Sequence, residues 1–388
     1  MTERPDYSTA RAQAGFSWSV GGSQGALREL TGIPIREFNL KPEVCIEAYR
    51  RGRPLLREMF EEEVGAPGVT TPAVSYGHVN CLGSELLFPE GGEVAHTHIY
   101  GSLGEGIARL KEPVDWTTTG MAPFYLDFRE KLQEAFPGER VGFGFGGEGP
   151  ITTAYELRGE GFFTDIYDDP PRAKEFLRAL TDSVLDFDRF SMAVNEAPMP
   201  NPNGGGMCDD LASFIPARMM REMVIPFWEQ FYRGVTTGSR SAHVEDLRVE
   251  QLFCLEEIGL SHFDPSISPK LNPRLLAEHS RVPFIWRLGC FHYREMSVQD
   301  VEDFVFQSAA DGASGVITYV AEMTCNAESV PKVHAFIRAA KEAKQLIDEG
   351  CSRDEIAQRV STEGRAKLWD QWCGYLSLRS SRGGARPD

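Results

Sequence analysis

The chain contains no Cys-x-x-Cys pair, although its 388 residues include eight cysteines, and that absence argues against a disulfide scaffold. Scattered from Cys45 to Cys373, they read as small buried hydrophobes in a reducing compartment. No apolar run approaches the ~20 residues that span a bilayer. The opening Met-Thr-Glu-Arg-Pro-Asp lacks the basic patch and apolar core of a secretory signal. Positive charge is in deficit, 40 basic residues against 57 acidic for a net charge of −17, which excludes a nucleic-acid footprint and an anionic-membrane one. These absences together describe a cytoplasmic enzyme. The glycine-rich Gly142-Phe-Gly-Phe-Gly-Gly147 lacks the helix opening and the acidic residue about twenty positions on that a dinucleotide fold needs. It reads instead as a strand with a tight exit, and no internal repeat interrupts the chain.

What is there is an alternation of short apolar runs with longer segments of helical period. Strands are expected at residues 73–79, 85–88, 141–146, 204–208, 239–243, 261–263, 284–288 and 316–319. Helices are expected at 42–63, 172–195, 215–234, 249–258, 273–280, 298–310 and 330–347. Ser297, with Asp300 three residues on, has the form of an N-cap, and Gly234 that of a stop. Eight parallel strands joined by crossover helices predict an α/β protein, a (β/α)8 TIM barrel, in one domain of residues 41–347. Residues 1–40 read as an N-terminal arm, over the barrel or at the contact of a homodimer. Residues 348–388 read as a C-terminal helical extension, with helices at 351–358 and 368–372 and a tail too polar to order itself.

Groups at the strand C-termini of such a barrel converge on one mouth. His243-Val-Glu245 follows the strand Ser239-Arg-Ser-Ala-His243, and Cys325 lies in the loop after Gly315-Val-Ile-Thr-Tyr-Val320. Two residues apart on extended chain, His243 and Glu245 point to one side. With Cys325 they offer nitrogen, oxygen and sulfur to a zinc ion and leave a fourth position for substrate. The plain alternative is an interior histidine, a carboxylate at a helix start and a buried thiol. Asp209-Asp210 follows the Gly-rich Gly204-Gly-Gly-Met-Cys208; either carboxylate could carry a proton or bond substrate, or simply cap the next helix. His96-Thr-His98 reads as a substrate contact more than as a second metal site. In Cys290-Phe-His-Tyr-Arg294, His292 and Arg294 suit recognition of an anion. Glu322 is a reserve ligand or general base, and Tyr319 and Trp286 suit the substrate wall.

The spacing of the His-x-Glu pair and the distant Cys resembles the uroporphyrinogen decarboxylase superfamily, in its zinc-dependent corrinoid methyltransferase branch. The resemblance runs over roughly residues 41–347, and other stretches carry it in the family's order. They are Leu82-Gly-Ser-Glu-Leu-Leu-Phe-Pro-Glu-Gly-Gly-Glu93, then Gly147-Glu-Gly-Pro-Ile-Thr-Thr-Ala154 with Leu157-Arg-Gly159, then Asp168-Asp-Pro170 leading to Leu180-Thr-Asp182, and Asp209-Asp210. The branch that methylates thiols has His-x-Cys where this chain has Glu245. Carboxylate for thiolate makes a harder ion, better matched to an oxygen leaving group. The resemblance therefore implies transfer of a methyl group from a small methylated substrate, a methyl ether first, to the cobalt of a corrinoid. No Asp-x-His-x-x-Gly corrinoid sequence is present, so the cobalamin is expected on a partner protein. The alternatives are a methylcorrinoid:thiol methyltransferase, a metal-free decarboxylase with Arg50-Arg-Gly-Arg53 as its basic stretch, and a silent binding subunit.

Overall fold

In the computed structural model, residues 4–367 and Tyr375 are described; the expected helix at 368–372 and the tail lie outside them. Among them are eight strands: β1 Ser17–Gly22, β2 Leu86–Leu87, β3 Ala95–His96, β4 Gly204–Cys208, β5 Ser239–His243, β6 His262–Asp264, β7 Ile285–Leu288 and β8 Gly315–Val320. Two compact units share the chain, one built on 31–51 and 68–240, the other on 4–30, 52–67 and 241 onward.

In the first unit, residues around Thr70 and Val74 run parallel to Gly142 and Phe145, and Tyr125 stacks on Phe145 with centroids 4.8 Å apart. The helix Pro170–Val194 buries Phe176, Leu177, Leu180, Val184, Leu185 and Phe187 along one face. It starts where the Asp169 side chain accepts the Arg172 N–H at 3.1 Å, with Pro170 at the first helical position. Three expected strands are corrected here. The one at 141–146 is reduced to isolated bridges at Gly142 and Phe145. Residues 77–79 of the expected 73–79 strand belong to the helix Gly77–Cys81. The expected strand at 85–88 is half of an antiparallel hairpin, with Leu86 opposite His96. The Pro89-Glu-Gly-Gly92 turn reverses the chain before a crossover helix can form.

In the second unit, β1, β8 and β7 pair in parallel, with Trp18 and Trp286 both in register with Val316. A parallel bridge joins Phe263 of β6 to Phe284, and Ser241–His243 of β5 pairs with β6. Strand β1 is the main departure from expectation, because it lies in the segment read as an arm. Its Gly21-Gly22 end has low strand propensity, yet the fold needs glycine there. A Cβ on Gly22 would stand 3.1 Å from the Gly65 carbonyl oxygen and collide with Leu56. The helix Val298–Ala310 begins in a reciprocal capping box: Ser297 Oγ accepts the Asp300 N–H at 3.1 Å, and Asp300 Oδ2 accepts the Ser297 N–H at 2.8 Å. The structure is thus α/β with parallel strands and crossover helices, and a closed barrel is not among the strand ladders it displays.

Candidate metal centre

Strand β5 ends at His243, and the chain turns at once. Asp246 has φ 61, in the left-handed region that Asp tolerates better than most residues. Glu245 therefore does not open a helix, as expected, but sits in a turn, and the next helical residues are Val249–Gln251. Just before that turn, Glu245 Oε1 lies 3.7 Å from His243 Nε2.

The other imidazole nitrogen faces the neighbouring strand. His243 is in register with Asp264, the last residue of β6, and its Nδ1 lies 2.9 Å from Asp264 Oδ2. Asp264 also accepts from the Ser266 N–H at 2.8 Å and from Arg287 Nη2 on β7. The Arg287 guanidinium lies 5.5 Å from the Tyr319 ring on β8. Four successive strands of the unit each supply one member of this row.

Charge follows from the row. Burial pushes the Asp264 carboxyl up, but the His243 hydrogen bond and the Arg287 charge outweigh it, and the pKa ends below the ordinary value. Glu245 is lowered as well, first by its hydrogen bond with His243. Both carboxylates are ionised at neutral pH. Nδ1 thus faces an ionised Asp264 and Nε2 faces Glu245, the arrangement by which an outer carboxylate orients a metal-binding histidine.

In the second unit His243 and Glu245 offer a nitrogen and a carboxylate oxygen donor, a combination that suits zinc. Cys325 does not join them. Its Sγ donates to the Ala321 carbonyl oxygen at 3.3 Å, and burial, with the charges of Glu29 and Glu322, pushes its thiol up to about 12. Cys325 instead lines a cavity of about 280 Å³ with Arg294, Tyr293 and Glu322, and Glu322 is ion-paired with Arg28.

The remaining expected residues are distributed as follows. Tyr319 is exposed at 44% and carries the Arg287 contact. Trp286 and His292 are at 0% exposure, packed against Tyr375 at 5.5 and 4.5 Å between centroids. Asp209 is fully buried and does cap a helix, though not the next one. It accepts the N–H groups of Ile151 and Thr152 at 3.3 and 2.7 Å, at the start of Pro150–Arg158, and the Trp228 Nε1–H at 2.6 Å. Even so, desolvation outweighs these bonds and pushes its carboxyl up to about 6. In the basic stretch, Arg50 donates to the Ala135 carbonyl oxygen and Arg53 to that of Pro67, at 3.1 and 2.8 Å.

Sequence reasoning missed Asp264 and Arg287. The available signal was position, since each sits on a strand after β5 toward its C-terminal end, where barrels place functional groups.

No family model matches the chain, and no curated protein does. Among solved structures, a methyltransferase from Methanosarcina mazei matches with a TM-score of 0.61 at 17% identity, over 86% of this chain and 96% of that one. At that identity the likeness is one of fold. No helix among the described residues is long and apolar enough to cross a membrane.

Proposed function

We propose that this chain is a zinc-dependent methyltransferase on a (β/α)8 barrel of the uroporphyrinogen decarboxylase type. It would move a methyl group from a small methylated substrate, a methyl ether first, to the cobalt of a corrinoid carried by a partner protein. The observation that carries the reading is His243 Nε2 facing an ionised Glu245 at 3.7 Å while Asp264 holds Nδ1. The fold likeness to a methyltransferase supports it.

His243 and Glu245 would hold the ion, and the family resemblance offers Cys325 as the third ligand. Zinc, when bound, supplies Lewis acidity to the heteroatom that leaves as the methyl bond breaks. Asp264 keeps the imidazole in one tautomer. Arg287 keeps Asp264 ionised, and the exposed face of Tyr319 is available to the substrate. Asp209, fully buried, serves the fold by capping a helix.

Metal analysis of the purified protein, followed by a screen of methylated substrates with cobalt(I) cobalamin, tests the proposal. About one zinc per chain is expected, with loss in His243→Ala. Lowered occupancy in Cys325→Ala makes its thiolate the third ligand, and unchanged occupancy removes it. Unchanged zinc in His243→Ala overturns the centre.

A further inference from the structure

Strands β1, β8 and β7 of the second unit run parallel, so the chain leaves all three at the same end, where α/β folds gather their binding groups. Each exit contributes to one cavity of about 280 Å³. Glu29 comes from the helix Gln24–Thr31 after β1, Arg294 from the turn Cys290–Arg294 after β7, and Met323 and Cys325 from the loop after β8. The volume lies just under the roughly 300–1,000 Å³ of sites for drug-sized ligands, so the guest is a small molecule.

The polar groups along the wall can be accounted for in turn. Glu322 is paired with Arg28, and Glu328 with Lys332 at 2.7 Å. Asn326 uses its amide locally, donating to the Met323 carbonyl oxygen at 2.9 Å and accepting the Ser329 N–H at 3.0 Å. The Tyr293 hydroxyl donates to Thr318 Oγ1 at 3.2 Å. Two charged groups remain. Neither Arg294 nor Glu29 has a hydrogen-bond or ion-pair partner among the described residues, and since they do not pair with each other, one cavity holds two opposite charges apart.

A guest that satisfies both carries an anion and a cation a few bonds from one another. The Arg294 guanidinium presents parallel N–H groups that match a carboxylate, and the Glu29 carboxylate suits an ammonium group. Met323, 38% exposed, offers a flexible apolar surface to whatever joins the two.

We propose that Glu29 and Arg294 bind a free α-amino acid with a small or unbranched apolar side chain, its carboxylate on Arg294, its ammonium on Glu29 and its side chain against Met323. The site does not depend on the zinc reading. Where both hold, the methylated substrate is itself an amino acid, because Cys325 borders the same cavity.

Calorimetry of the full chain with L-norleucine and L-alanine, repeated with hexanoate and pentylamine, tests the site, since the last two are norleucine without its ammonium and without its carboxylate. Expected are one norleucine per chain and binding at least about tenfold weaker for each single-charge analogue. Glu29→Gln and Arg294→Gln, both at exposed positions, should each weaken norleucine at least about tenfold, with urea midpoints showing that both variants fold. Absence of binding by both amino acids overturns the proposal, as does hexanoate or pentylamine binding as tightly as norleucine, a comparison made in wild type alone. Norleucine affinity unchanged in either folded variant also overturns it. Binding that persists in His243→Ala while zinc is lost separates this site from the metal centre, so either can fail alone.

Discussion

In the first unit Asp209 and Glu156 are buried away from any cation and are pushed towards the neutral form, whereas in the second Asp264 and Glu245 are partly buried beside His243 and Arg287 and are driven towards the charged form. Burial alone does not separate them, since it raises all four. The difference is the partner. Asp209 receives three neutral N–H donors and still titrates high, while a single guanidinium and an imidazole suffice to hold Asp264 low. Charged partners act over distance in a medium of low dielectric, and neutral donors act only along one bond.

The largest expected effect tests the first side. Asp209 has a folded pKa of about 6 against an ordinary 3.8, so the native state holds its proton more tightly than the unfolded chain does. Its stabilising contribution is complete below about pH 4 and is lost as pH rises through 6, by roughly 3 kcal/mol at 1.36 kcal/mol per unit. Urea unfolding of wild type and Asp209→Asn between pH 4 and 7 should show that slope in wild type and its reduction in the variant. Equal slopes would mean that Asp209 is ionised throughout.

On the second side, Asp264→Asn should weaken zinc binding by about 10–100-fold, read by competition with a chromophoric chelator. An unchanged affinity would remove Asp264 from the centre. Arg287→Met should cost about 1–2 kcal/mol at pH 7, less than a fully buried pair because both side chains retain some exposure. The cost should shrink as pH falls, because a depressed carboxylate contributes above its unfolded pKa and loses that contribution on protonation. A loss independent of pH would make Arg287 a packing residue. The smallest effect is expected for Arg28→Ala, whose partner Glu322 is 41% exposed; urea unfolding should find less than about 1 kcal/mol, and a larger loss would show that Arg28 holds the Cys325 loop in place.

How much of this was legible in the sequence follows the same division. Strands β4 to β8 and the helices between them were readable because each is a short run bounded by turns and followed by a helical period. Strand β1 was not, because Gly21-Gly22 hides it and its partner β8 lies some 300 residues away. The approach of His243 and Glu245 was readable from a spacing of two, which puts both side chains on one side of extended chain. Asp264 and Arg287 were not readable as partners of His243, since they reach it across strand registers from 21 and 44 residues away. Local periodicity carries no information about register between strands. The interior places of Trp286 and His292 were hidden for the same reason, because Tyr375, which packs on both, comes from far along the chain.

The turn at Asp246 has a stereochemical consequence. Its φ of 61 belongs to the mirror image of the ordinary helical conformation, so this residue redirects the chain that follows the His-x-Glu pair without moving the pair itself. An achiral residue would take the same course freely, and a β-branched one would resist it by roughly 1–2 kcal/mol. The route by which the backbone leaves the two donor atoms is thus decided against the handedness of a residue that contributes no atom to either of them.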